Sequence, residues 1–290
     1  MKKEGEKEAE KQKKLAMLAP SFVGEFSYPE IILGLRELGF DKVVELTFGA
    51  KLVNRKYHQI LKKSKKLLIS SVCPGIVQTI LEKYPKLKKN IMPVVSPMIA
   101  TAKICRKIYP KHKIIFISPC NFKKIESSRN ENKKYIDEVL DYQELKKLFK
   151  QKNINLNKIK KSEKINSKNN ANIHFDKFYN DYTKIYPLAG GLSKTAHLKG
   201  IVGANDTEII DGINNVEKFL KNPDKSIKFL DANFCVGGCV GGPCFSQNTL
   251  LEDRKKRVLD YIEKAKHEKI SQSDLGILER AKNINLNKKY

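Results

Sequence analysis

Six cysteines stand at Cys73, Cys105, Cys120, Cys235, Cys239 and Cys244, and five of them lie at Gly- or Pro-marked junctions. Three share one run, Cys235-Val236-Gly237-Gly238-Cys239-Val240-Gly241-Gly242-Pro243-Cys244, whose four glycines leave little side chain around the sulfurs. Such a loop suits a ligand much larger than one zinc ion. Cys73 precedes Pro74 at a predicted helix start, where free N–H groups and the helix dipole favour the metal-binding thiolate. Cys120 follows a strand and Pro119, a second junction open to a ligand. No Cys-x-x-Cys pair is present, which argues against a zinc ribbon. Small buried residues at tight turns are the plain alternative for any single cysteine. Four at strand ends and in a glycine loop favour ligation. Cys105, at helical spacing with Met98, Ala102 and Ile108, reads as core. Cys244 is left undecided between spare ligand and structural thiol.

Those residues need positioning elements. Strands are expected at Leu15 to Leu18, Lys42 to Leu46, Leu67 to Ser71 and Lys113 to Ser118. Between them, Ser27 and Glu30 have capping-box spacing with Pro29 in the first turn, and Ile31, Ile32, Leu35 and Leu38 form one helical face closed by Gly39. Further helices are expected from Pro74 to Lys83 and from Ser96-Pro97 to Ile108. Later come a Gly190-Gly191 turn, short strands at Glu208 to Ile210 and Lys225 to Leu230, and a helix from Asn214 to Leu220. A last helix runs from Thr249 to Ala265, with Leu251, Val258, Leu259 and Ile262 toward a core. This alternation predicts an α/β fold: two lobes of mostly parallel sheet flanked by helices, with a cofactor between the lobes. Active sites in such sheets lie beyond the carboxyl ends of the strands, where Cys73 and Cys120 fall.

Length and charge bound the rest. The chain has 290 residues, enough for one large or two small domains. Residues 1–14 read as a charged leader, 15–145 as a first lobe, 146–183 as a Lys/Asn-rich insertion or linker, and 184–290 as a second lobe with the glycine-cysteine loop and a C-terminal helix. Lys+Arg number 57 against 32 Asp+Glu, a net charge of +25. The lysines are spread and carry no nucleic-acid signature, so no nucleic-acid partner is expected. No apolar run reaches the roughly 18 residues of a spanning helix, so no membrane partner is expected and the chain reads as cytoplasmic.

Three ordered motifs resemble those of the FeFe-hydrogenases, in the C-terminal (catalytic, H-cluster) domain of the large subunit. They are Ser70-Ser71-Val72-Cys73-Pro74-Gly75, then Pro119-Cys120-Asn121-Phe122-Lys123-Lys124-Ile125-Glu126, then the Cys235 to Gly242 run. Ala19-Pro20-Ser21, Phe48-Gly49-Ala50, Ser96-Pro97 and Gly190-Gly191 support them, and the resemblance covers about Leu18 to Ala265. It implies an H-cluster: a 4Fe-4S cluster joined to a diiron subcluster with CO, cyanide and a bridging dithiolate. Cys73, Cys120, Cys235 and Cys239 would be the metal ligands, Cys239 bridging the two parts. Lys123 would contact a cyanide, a charge-assisted hydrogen bond. Lys123 and Glu126 would be the catalytic residues, and Ala19, Pro20 and Ser21 would line the pocket. Implied partners are an acidic ferredoxin-like electron donor, steered by the basic surface, and hydrogenase maturation proteins.

Departures from the family pattern matter too. A proton-relaying cysteine usual in active members is Val72 here, which cannot transfer a proton. The acids expected after Phe48-Gly49-Ala50 are replaced by Lys51-Leu52-Val53-Asn54-Arg55-Lys56. Ser118 stands where a Met is usual, and Pro243-Cys244 replaces a Gln-Pro. The expected activity is interconversion of protons and electrons with dihydrogen. The alternatives are a slow, dihydrogen-sensing hydrogenase and a non-enzymatic iron–sulfur carrier or assembly protein.

Overall fold

A computed structural model describes residues 12–161, 173–180, 182–198 and 200–290. Most of the 1–14 leader, and the middle of the Lys/Asn-rich stretch, lie outside the described residues.

Two parallel sheets carry the fold. The first comprises β1 (Lys14–Leu18), β2 (Lys42–Glu45), β4 (Lys113–Ser118) and β5 (Glu138–Asp141), in the order β2-β1-β4-β5. The second comprises β3 (Leu68–Ile69), β6 (Thr207–Asp211) and β7 (Phe229–Asn233), in the order β3-β7-β6. All pairings are parallel. β3 falls inside the 15–145 stretch yet pairs with β7, with Leu68 opposite Phe229.

Helices cover both faces of the first sheet, so its strands are apolar throughout instead of alternating. Leu15 and Met17 pack into one cluster with Phe48, Met98 and Cys105. Ala16 and Leu18 pack into another with Phe22, Ile31 and Tyr142. A third cluster, including Ile69, Ile76, Val216 and Leu230, covers the second sheet.

The helices are α1 (Glu30–Glu37), α2 (Thr47–Leu61), α3 (Pro74–Lys83), α4 (Pro97–Ile108), α5 (Phe122–Ser128), α6 (Tyr142–Gln151), α7 (Leu156–Lys161), α8 (Gly191–Thr195), α9 (Ile213–Lys221) and α10 (Leu251–Ala265). Several starts follow the rules of chemistry at helix ends. Ser96 accepts from the Ile99 N–H at 3.4 Å, with Pro97 in the first turn. Gly39, at φ +86°, ends α1 in the left-handed region.

Some expectations are corrected. Ser27 and Glu30 form no capping box: Pro29 is the N-cap and no side chain caps α1, Ser27 contributing only its carbonyl, which accepts from the Ile31 N–H at 3.0 Å. A capping box forms instead at α6, where Asp141 accepts from Glu144 N–H at 2.9 Å and Glu144 accepts from Asp141 N–H at 2.8 Å. The predicted strand at Lys225 to Leu230 starts later and runs to Asn233. Leu259 is exposed, because Val258, Tyr261 and Ala265 already form the inward stripe of α10. The Lys-rich stretch is partly helical: Phe149 and Ile159 are buried, and the side chain of Leu156 sits against Gly34.

Asp141 allows a stability prediction. Burial alone would raise its carboxyl, but Lys124 at 2.9 Å and the Glu144 N–H hold it below the usual carboxylate value. That stabilisation is present above the unfolded value of about 3.9 and is lost as pH falls through the lower folded value. Asp141→Ala is expected to cost about 1 kcal/mol at neutral pH. Urea unfolding at neutral and strongly acidic pH checks this; an equal penalty at both would contradict the charge argument.

Candidate metal centre

The parallel strands of both sheets end at one place. A cavity of roughly 90 Å³ opens there, several times what one water requires. Cys73, Cys120, Cys235 and Cys239 all line it. They come from four backbone settings. Cys73 is the N-cap of α3 and follows β3. Cys120 follows β4, with its N–H donated to Ser118 Oγ at 3.2 Å. Cys235 follows β7, and Cys239 opens the tight turn Cys239–Gly241.

Close packing holds these segments together, and glycine permits it. A Cβ on Gly75, two residues after Cys73, would lie 2.9 Å from both Phe122 and Phe234. Those rings, from the segments of Cys120 and Cys235, meet at a centroid distance of 4.8 Å. Gly238, at φ +80°, presses against Pro187 and Ala189, where a Cβ would come within 2.7 Å of backbone. Pro187 O then accepts the Cys239 N–H at 2.7 Å.

Burial raises three of the thiols. Cys235 is pushed up to about 12, first by burial and then by its neighbours Cys73 and Cys120. Cys120 is raised for the same two reasons, with Lys123 opposing. Cys239 is exposed by area, yet burial pushes its thiol well above the ordinary value. A bound cationic group deprotonates such thiols, so loading releases protons and tightens as pH rises.

Lys123 reaches the cavity from α5. Its Nζ donates to Glu126 Oε2 at 2.7 Å and to Val72 O at 3.4 Å. An ammonium has three donors, so one remains for the cavity. Burial opposes the charge, but Glu126, then Cys120 and Cys239, outweigh it and raise the Lys123 value. Glu126, itself 4% exposed, stands behind Lys123 and does not line the cavity. Ala19, Pro20 and Ser21 do line it, as does Val72, and Ser21 Oγ lies 2.7 Å from Tyr142 Oη. Cys105 is fully buried in the core. Cys244 is buried away from the cavity, its Sγ donating to Asn121 Oδ1 at 3.4 Å.

Among the wall residues that sequence reasoning missed, two carry polar groups of interest, Asp231 and Tyr186. Tyr186 Oη is buried and has no hydrogen-bond partner among the described residues. It also missed a buried clamp behind the wall. Lys184, fully buried, donates to Glu45 Oε2 at 2.7 Å and to Tyr261 Oη. Its ammonium lies 4.1 Å from the Tyr261 ring centroid and 4.8 Å from that of Tyr179. This fastens the Tyr186 to Leu188 wall to the end of β2. A Gly190-Gly191 signal was visible, but nothing local marks Lys184 among so many lysines.

Residues 12–243 match the family model for the C-terminal domain of the iron-only hydrogenase large subunit. The chain belongs to this family. It is 26% identical to Iron hydrogenase 1 of Clostridium pasteurianum, over 73% of this chain and 44% of that protein. It is 31% identical to a cytosolic Fe–S cluster assembly factor of Kluyveromyces lactis, over 34% of this chain and 22% of that protein. The chain thus spans less than half the length of these relatives. Among solved structures it resembles an FeFe-hydrogenase studied for oxygen inactivation of its H cluster (TM-score 0.70, 17% identity, 97% of this chain and 92% of that one). It also resembles an FeFe-hydrogenase of Chlamydomonas reinhardtii (TM-score 0.69, 15% identity, 99% and 96%). At these identities the structural likeness speaks for the fold.

An iron-hydrogenase family implies an iron–sulfur group, and the residues present fit one. Four thiols surround one cavity, a free lysine donor and an orphaned tyrosine hydroxyl stand at its wall, and glycines clear the approach. Among the described residues, no three His, Cys, Asp or Glu converge on a single-ion site. Thiols dispersed around a cavity suit a group with several irons, each at a separate corner.

Proposed function

We propose that this chain binds an H-cluster and interconverts protons and electrons with dihydrogen. The observation that carries the reading is the meeting of four cysteines and Lys123 at one cavity between the ends of two sheets. Cys73, Cys120, Cys235 and Cys239 would hold a 4Fe–4S cube, with Cys239 shared by a diiron subcluster carrying CO, cyanide and a bridging dithiolate. When bound, that group supplies the redox chemistry. The chain's own residues do the rest. Lys123 offers its remaining N–H to an anionic ligand, oriented by Glu126. Phe116, Leu46, Ala50 and Leu192 keep water from the cavity. Electrons would come from an acidic ferredoxin-like protein drawn by the +25 charge, and hydrogenase maturation proteins would insert the diiron part.

Two observations favour weaker activities. Val72 at the cavity wall has no proton to give, which favours a slow, dihydrogen-sensing role. Similarity to the Kluyveromyces assembly factor favours a non-enzymatic carrier or assembly role. Against a carrier, Lys123 keeps a donor that a cube alone does not need. No helix among the described residues is long and apolar enough to cross a membrane.

One experiment separates these readings. The protein is purified without oxygen, matured with the diiron precursor, and examined by infrared spectroscopy while dihydrogen evolution from reduced viologen is assayed. The proposed function predicts CO and cyanide stretching bands with turnover. Bands without turnover indicate the sensor, and iron–sulfur absorbance without bands indicates the carrier.

A further inference from the structure

One carboxyl at the cavity is not used by the ligand set. Asp231, 1% exposed, lies on β7 and lines the cavity wall. Its Oδ2 accepts from the Ser193 N–H at 3.0 Å and from Ser193 Oγ–H at 2.8 Å. No hydrogen bond among the described residues engages Oδ1. No lysine, arginine or histidine compensates its charge; burial dominates and raises the carboxyl, with only Ser193 opposing. The titratable neighbours are Tyr57 of α2 and Tyr186, both felt electrostatically. Tyr186, whose buried hydroxyl has no hydrogen-bond partner among the described residues, lines the same cavity as Asp231 and Cys239. A buried carboxyl without a cation favours its neutral, proton-bearing form. Ser193 itself is only half-buried, whereas Asp231 is fully buried.

We propose that Asp231 is the group that delivers and collects protons at this cavity, with Ser193 as its link to solvent. This takes up the task that Val72 cannot perform. The Asp231 O–H bond breaks as its proton passes to the reacting centre, leaving a carboxylate held by the two Ser193 donors. The Ser193 Oγ–H proton then moves to Oδ2 while Oγ takes a proton from solvent water, and rotation of the carboxyl about Cβ–Cγ turns the protonated oxygen back to the cavity, so one solvent proton is consumed per cycle. Two such cycles and two electrons from a reduced iron–sulfur carrier protein yield one dihydrogen; uptake runs in reverse. The use of the proton rests on the hydrogenase reading, but the proton path does not.

The test has two arms. In metal-free protein at near-neutral pH, infrared difference spectra should show a protonated-carboxyl C=O band in wild type that Asp231→Asn lacks. The band should shift promptly in D₂O, and at least about tenfold more slowly in Ser193→Ala, which keeps the backbone donor. In matured protein, Asp231→Asn should retain iron content and CO/cyanide bands while dihydrogen evolution falls about 10²- to 10⁴-fold, with Asp231→Glu restoring part of it. Asn can still accept both Ser193 bonds, so an anchoring role alone would leave turnover intact. Absence of the Asp231 band, exchange unaffected by Ser193→Ala, or full turnover in Asp231→Asn overturns the proposal. If wild type binds no diiron part, the hydrogenase reading fails while the infrared arm still decides the path.

Discussion

Cys73→Ala and Cys235→Ala should each reduce bound iron and the visible iron–sulfur absorbance to a small fraction of wild type if these thiols are the proposed ligands, whereas Cys105→Ala and Cys244→Ala should leave both near wild type. The contrast follows from position. Cys73 and Cys235 present sulfur to the cavity. Under the proposed ligation, removing one thiolate would leave an iron without its protein ligand, and no fifth cysteine among the described residues lines the cavity to replace it. Cys105 lies in the core, its thiol raised by burial far above the ordinary range, and is inert. Its loss creates a small void that costs about 1 kcal/mol and does not touch the metal. Cys244 is the sharper control, because it belongs to the same glycine run yet donates its S–H to Asn121. Iron and sulfide analysis after anaerobic reconstitution decides the matter. Equal loading in all four variants would falsify the ligand assignment.

Lys184→Met lowers stability by about 3–5 kcal/mol, the range for a buried ion pair deprived of one partner. The melting temperature should then fall by about 10 °C for a chain of this size. The cause is Glu45, 1% exposed, which loses its cation while keeping only Tyr261 at 3.0 Å and Thr47 at 3.2 Å. Glu45 already has its carboxyl raised by burial, with Lys184 the main opposing influence. The double variant Lys184→Met with Glu45→Leu should recover much of the loss, because no uncompensated charge remains. Calorimetry of the two singles and the double forms the cycle. A single variant as stable as wild type would show that the clamp contributes nothing net. The single variant should also load iron less well, since Lys184 stands two residues before the cavity-wall Tyr186.

Much of the centre was legible along the chain because its parts are local. Cys73-Pro74 announces a helix start, and Cys120 after Ser118-Pro119 announces a strand end. Lys123 and Glu126, three residues apart on one helix face, must meet, and do so at 2.7 Å. The alternation of apolar strands with helices declared the parallel α/β class. Helix starts were less legible: the Ser27/Glu30 spacing misled because Pro29 took the cap, while Asp141 and Glu144 were overlooked inside a polar stretch. The β7 boundary slid because Lys225 to Lys228 resemble any solvated strand entry. Asp231 was passed over for another reason: a lone aspartate at a strand end carries no motif spacing that singles it out.

By itself, then, the sequence determined the chemical types available, their spacing within each segment, and the class of fold, because covalent distance and backbone periodicity act over a few residues. Tertiary structure decided which segments meet. It joined β3 to β7, turned Cys239 inward and Cys244 away within one short run, and set Lys184 against Glu45 across 139 residues. Those outcomes depend on which surfaces exclude water together, a balance summed over the whole core. No local pattern encodes it, and it alone makes a wall residue of Asp231.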